Sequence, residues 1–124
     1  MGRFEIDRCD PALLVDIGGA GMTAAQFRRL ALKMPGAIES THGGHPDFRA
    51  AKKVFATLGY PDKNWAMVKL TPDQQGMVIS AQPGIFSPAK GMWGKRGSTL
   101  LFLERSDLKT ASGVIGMAWA NVQR

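Results

Sequence analysis

Residues 38–70, IESTHGGHPDFRAAKKVFATLGYPDKNWAMVKL, decide the fold. Short apolar runs in this stretch are broken by Gly43-Gly44, by Pro46 and by the cluster Gly59-Tyr60-Pro61-Asp62-Lys63-Asn64. Turn-forming residues at that spacing predict short strands joined tightly, because glycine, proline and Asx residues supply the dihedrals that reverse a chain. Strands are expected near Glu39–His42, Phe48–Ala51, Lys53–Leu58 and Trp65–Leu70, joined as an antiparallel meander. The last alternates cleanly. Ala66, Val68 and Leu70 fall on one face and Trp65, Met67 and Lys69 on the other, the period-2 pattern of a strand with unlike faces.

Helices flank this stretch. Thr23 followed by Gln26 is a capping-box pattern, and Phe27, Leu30, Ala31 and Met34 recur at helical spacing before Pro35-Gly36 ends the segment. Thr71-Pro72-Asp73 opens a second helix, with Thr71 as cap, Pro72 where its missing N–H costs nothing, and Asp73 at the positive end of the dipole. Residues 83–97 show no periodicity and read as a long loop, followed by a strand over Ser98–Leu103. Ser106 is expected to cap the last helix, whose apolar stripe is Leu108, Ala111, Ile115, Ala118, Trp119 and Val122. Gly113 and Gly116 inside it are expected to be retained by close packing on the sheet.

The totals bound what such a fold can be. A chain of 124 residues, 44% hydrophobic and 21% charged, suits one α+β domain with one core. No apolar run approaches the roughly 18 to 20 residues that span a bilayer, so no membrane role is expected. A lone cysteine, Cys9, forms no internal disulfide, and a reducing, cytoplasmic setting follows. Residues 1–22 stand apart: they are net acidic and end in the glycine-rich Asp16-Ile17-Gly18-Gly19-Ala20-Gly21. They read as a flexible N-terminal extension before a domain over 23–124, or alternatively as a short helix packed on that domain. From Thr23 onward there are fourteen Lys and Arg against six Asp and Glu, a balance that attracts polyanions, nucleic acid first.

Two stretches carry a resemblance. His42-Gly43-Gly44-His45-Pro46-Asp47-Phe48-Arg49, preceded by Pro35-Gly36 and Glu39, is followed by Lys53-Val54-Phe55-Ala56, by Leu70-Thr71-Pro72 and by Pro88 to Gly94. In that order these elements resemble the MmcQ/YjbR family, small bacterial proteins labelled DNA-binding, over about Thr23 to Val122. The chain departs from the pattern at Met34, where leucine is usual, and at Ser98, where a tryptophan is common. The resemblance implies a curved antiparallel β-sheet with helices packed on one face, similar to frataxin-like and double-wing folds. It also implies DNA as partner, by analogy of fold alone.

The residues offer their own candidates. In the 83–97 loop, Lys90, Lys95 and Arg96 supply charge, and Phe86 and Trp93 supply flat faces, a combination suited to phosphate contact with base stacking. With Arg49 they make up the nucleic-acid-binding set Arg49, Lys90, Lys95, Arg96 and Trp93. The competing expectation for Phe86 and Trp93 is burial, pinning the loop. Arg49, Lys52 and Lys53 read either as a basic cluster, at most two of them sharing a surface, or as an edge strand protected by charge. His42 and His45 lack a third metal ligand at a recognised spacing and read as turn histidines. No nucleophile elbow, phosphate loop or dinucleotide fingerprint is present, so neither cofactor nor catalysis is expected, although Glu39 beside His42 could form an acid–base pair. The leading expectation is weak, sequence-independent DNA binding. The alternative is a small-ligand or protein-partner module using a cleft between the 83–97 loop and the His42–Arg49 segment.

Overall fold

The computed structural model describes residues 21–123. Its elements run α1 (Ala24–Leu32), β1 (Ile38–His42), β2 (His45–Ala50), β3 (Lys53–Leu58), β4 (Trp65–Lys69), α2 (Pro72–Ala81), β5 (Phe86–Pro88), α3 (Gly91–Lys95), β6 (Ser98–Phe102) and α4 (Leu108–Val122). The six strands make one antiparallel sheet in the order β1-β2-β3-β4-β6-β5. The meander of β1 to β4 is present, although β2 starts at His45 rather than near Phe48 and runs through Pro46 instead of being broken by it. Both capping boxes are closed: Thr23 with Gln26, Thr71 with Gln74. Most of the expected extension, residues 1–20, lies outside the described residues. Met22 at its end is buried, and its N–H donates to the Leu103 carbonyl at 3.0 Å.

One face of the sheet holds the core. Phe27 of α1 and Ile115 of α4 are fully buried, as are Phe48, Phe55, Val68 and Leu101 of the strands beneath them. Each such side chain contributes roughly 1.5 to 3 kcal/mol by leaving water. Phe27 meets Phe48 at 6.2 Å between ring centroids. Phe55 and Ala56 are adjacent in sequence yet both buried, because the β2–β3 register shifts between Phe48 and Arg49 and breaks the alternation there. Val78 and Ile79 of α2 pack against the same cluster, and the Trp119 indole N–H ties α4 to the Pro35 carbonyl at 2.8 Å.

Several expectations are corrected. The 83–97 stretch is not a long loop but contains β5 and α3, elements of three and five residues, too short to leave a period in the sequence. The cap of α4 is Asp107, whose Oδ1 accepts from the Thr110 N–H at 2.7 Å, while Ser106 is buried one residue earlier. Leu108 is therefore in the first turn and largely exposed, and Val114 takes the place on the apolar stripe. Gly113 and Gly116 are not held by packing, since an added Cβ would meet nothing within 4 Å at either. The edge-strand reading of Arg49, Lys52 and Lys53 also falls, because β2 and β3 are interior strands.

Candidate functional site

The sheet face away from the core carries a groove of about 440 Å³. Its floor follows from register. Asp47 of β2 lies opposite Thr57 of β3, Thr57 opposite Met67 of β4, and Met67 opposite Leu100 of β6, so one rung of side chains crosses the sheet. On the next rung Arg49 pairs with Val54. Lys69, two residues beyond Met67, shares its face because side chains alternate along a strand.

Arg49 is held in place by its neighbour on the same face. Its Nε donates to Asp47 Oδ1 at 3.1 Å and one Nη to Oδ2 at 3.3 Å, a two-pronged fork. The Asp47 side chain is 2% exposed, whereas that of Arg49 keeps 37% of its surface. Donation to the Asp47 carboxylate, and secondarily the charge of that group, raises the Arg49 pKa above an already high value, so the guanidinium is a fixed cation with donors left over.

Lys69 is a different kind of cation. It has no carboxylate partner among the described residues, and its ammonium sits 4.9 Å from the centroid of the Trp93 ring. Burial lowers its pKa, and the ring quadrupole is what favours its charge locally. Lys52 adds a third positive group at the rim. It and Ala51 form the β2–β3 turn with φ of 67° and 52°, a conformation L-residues adopt at a cost of roughly 1 to 2 kcal/mol each. Tyr60, edge-on to His45 at 5.9 Å, closes the opposite end.

Trp93 reaches the groove because α3 is clamped beneath it. A Cβ at Gly94 would lie 1.8 Å from the Ala89 carbonyl oxygen, and one at Gly97, where φ is +110°, 2.0 Å from that of Leu70. Only glycine permits such approach. The Gln75 amide of α2 donates to the Gly94 and Ser98 carbonyls at 3.0 and 2.9 Å, fixing both ends of this turn of chain.

The candidates divide accordingly. Arg49 and Trp93 line the groove together. Lys90, Lys95 and Arg96 are exposed on and around α3, outside the groove lining. Burial of the loop aromatics holds for Phe86, 2% exposed, and is overturned for Trp93, 58% exposed. Lys69, Tyr60 and Met67 also line the groove, outside the set expected from the sequence. The available signal was the β4 alternation, which puts Lys69 and Met67 on the face away from the core. Glu39 accepts a hydrogen bond from Arg28 of α1, so its carboxylate ties β1 to that helix. Among the described residues no three His, Cys, Asp or Glu side chains gather as metal ligands, and no helix is long and apolar enough to cross a membrane.

An open antiparallel sheet with helices over one face and a basic, aromatic-edged groove on the other defines a class of α+β protein. Within it the chain belongs to the YjbR family, whose model matches residues 32–120. Its backbone is similar to the crystal structure of the Deinococcus radiodurans protein DR2400, a DUF419 domain, with a TM-score of 0.71 at 12% identity, covering 87% of this chain and 83% of that one. At that identity the likeness speaks for the fold alone. No curated protein matches the chain in sequence.

Proposed function

We propose that the chain is a non-catalytic protein that binds nucleic acid, DNA in the first instance, through the groove on the open sheet face. What carries this reading is the convergence of Arg49 and Lys52, on one hairpin, with the more distant Lys69, against one already neutralised carboxylate and beside an exposed tryptophan. Phosphates are met by the cations and bases by the flat ring, the division of labour in sequence-tolerant binding. Lys90, Lys95 and Arg96 extend the positive surface along α3 and add attraction without shape. Titration of labelled DNA at rising salt tests the proposal. With about three phosphates engaged, log K falls against log salt with a slope near −2.7 for duplex or −2.1 for a single strand. Absence of binding at low salt would remove it.

One observation favours a second reading, a small anionic ligand with a flat ring. The groove volume of about 440 Å³ lies inside the range of small-molecule pockets, roughly 300 to 1,000 Å³. It is lined on one side by His45, Asp47 and Arg49 of β2 and on the other by Trp93 of α3. A nucleoside monophosphate raising the melting temperature while DNA does not would decide for it.

A further inference from the structure

We infer that the groove receives one unpaired nucleotide, its base against Trp93 and its phosphate between Arg49 and Lys69, so that the nucleic acid held there is single-stranded. This rests on the nucleic-acid reading above and narrows it.

The surface chemistry of the groove distinguishes strands from duplexes. A duplex turns its phosphates outward and hides its base faces in the stack, exposing only base edges in the grooves. A phosphate ridge pressed into this site would lose water against Val54, Met67 and the face of the Trp93 ring, which return no hydrogen bond. An unpaired nucleotide matches both halves of the lining. Its base covers apolar surface while its phosphate meets the Arg49 donors that Asp47 leaves unused and the ammonium of Lys69.

The alternative mode, insertion of a helix into a duplex groove, is not served by the helix beside the site. The α3 segment has five residues and so spans roughly 7.5 Å. It is drawn down onto the Ala89 backbone at Gly94 rather than projecting from the surface. Meanwhile Trp93 keeps 58% of its surface in solvent even with Lys69 against the ring, an unusual exposure for a tryptophan. Stacking a base on it would recover that cost, and it is sequence-tolerant because every base has a π face.

The experiment compares an oligothymidylate, a duplex of equal length and thymidine monophosphate, each titrated against the full chain and against Trp93→Ala and Trp93→Phe. The single strand is expected to bind tightest. Trp93→Ala should weaken that binding roughly 5- to 150-fold while remaining folded, with a melting temperature lowered by only a few degrees; Trp93→Phe should retain most of the affinity. Duplex binding equal to or tighter than strand binding overturns the inference, as does strand binding indifferent to Trp93→Ala, and either leaves the nucleic-acid reading standing. Thymidine monophosphate binding as tightly as the strand overturns it in favour of a small ligand. Failure of both strand and duplex to bind removes the reading and the inference together.

Discussion

Lys69 of β4 and Trp93 of α3 are in contact as cation over ring, 4.9 Å from ammonium to centroid, and this pair joins the sheet to the segment that edges its open face. Two opposing effects meet on the lysine. Burial favours its neutral form, whereas the ring favours its charged form. A phosphate arriving beside it would add to the second, so Lys69 is the groove cation most responsive to a ligand.

That responsiveness has a pH signature. The folded pKa of Lys69 lies below its ordinary value of 10.5 because of burial. Between the two values the unfolded chain binds a proton that the folded chain has released, so stability rises with pH across that window. Below it both states are protonated and the whole burial penalty is present. In urea unfolding, the parent should gain stability relative to Lys69→Met as pH climbs toward 10.5. Phosphate binding runs the other way. An anion raises the lysine pKa, so affinity falls on the alkaline side in the parent, and that fall is shallower in Lys69→Met. Asp47, Arg49, Lys52, His45 and Tyr60 share the groove and are retained in both proteins, which makes the difference between them specific to Lys69.

The two aromatics of the 83–97 stretch should respond oppositely to truncation. Phe86 is 2% exposed in the core, and Phe86→Ala should cost roughly 3 to 5 kcal/mol through lost burial and a residual cavity. Trp93→Ala removes an exposed ring and one cation–π contact, so denaturant unfolding should register a loss of about 1 kcal/mol or less. Equal losses at both sites would place Trp93 in the core and leave the groove without its stacking surface.

Much of this arrangement was legible where physics is local. The two threonine caps, the Pro72 start and the alternation of β4 each depend on residues a few positions apart, and all are present. What was not legible depends on distance. The β5 strand is set by pairing with β6, and α3 by contacts of Gly94 and Gly97 with Ala89 and Leu70, none of which a sliding window contains. The site suffered the same limit. Arg49 stood out because its motif is local, whereas Lys69 acquires its character only when α3 folds over it. Lys90, Lys95 and Arg96 are a cluster in sequence, but the groove lining draws its cations from Arg49, Lys52 and Lys69.

Glycine substitutions separate positions that look alike in sequence. Gly97→Ala demands a positive φ and drives a Cβ to 2.0 Å from a backbone oxygen, so a loss of about 3 kcal/mol is expected, with α3 displaced. Gly113→Ala adds a methyl in open space within a helix and should stabilise by about 0.8 to 1 kcal/mol. Thermal melts of the two variants check both signs. A destabilised Gly113→Ala would restore the expectation that α4 packs tightly there.

Salt dependence distinguishes the groove from the α3 surface. Each phosphate neutralised on a single strand contributes about 0.7 to the slope of log K against log salt, whichever residue neutralises it. Arg49 and Lys69 flank one phosphate, so replacing both by methionine should reduce the slope by about 0.7 while leaving preference among base sequences unchanged. Replacing Lys90, Lys95 and Arg96 together removes three charges that are exposed and outside the lining, and should slow association at low salt without a comparable change in slope. If instead the triple replacement removes most of the slope and the joint replacement of Arg49 and Lys69 removes none, the phosphates lie along α3. The cations gathered around Asp47 and Trp93 would then owe their positions to the architecture of the sheet, with the binding surface one element away.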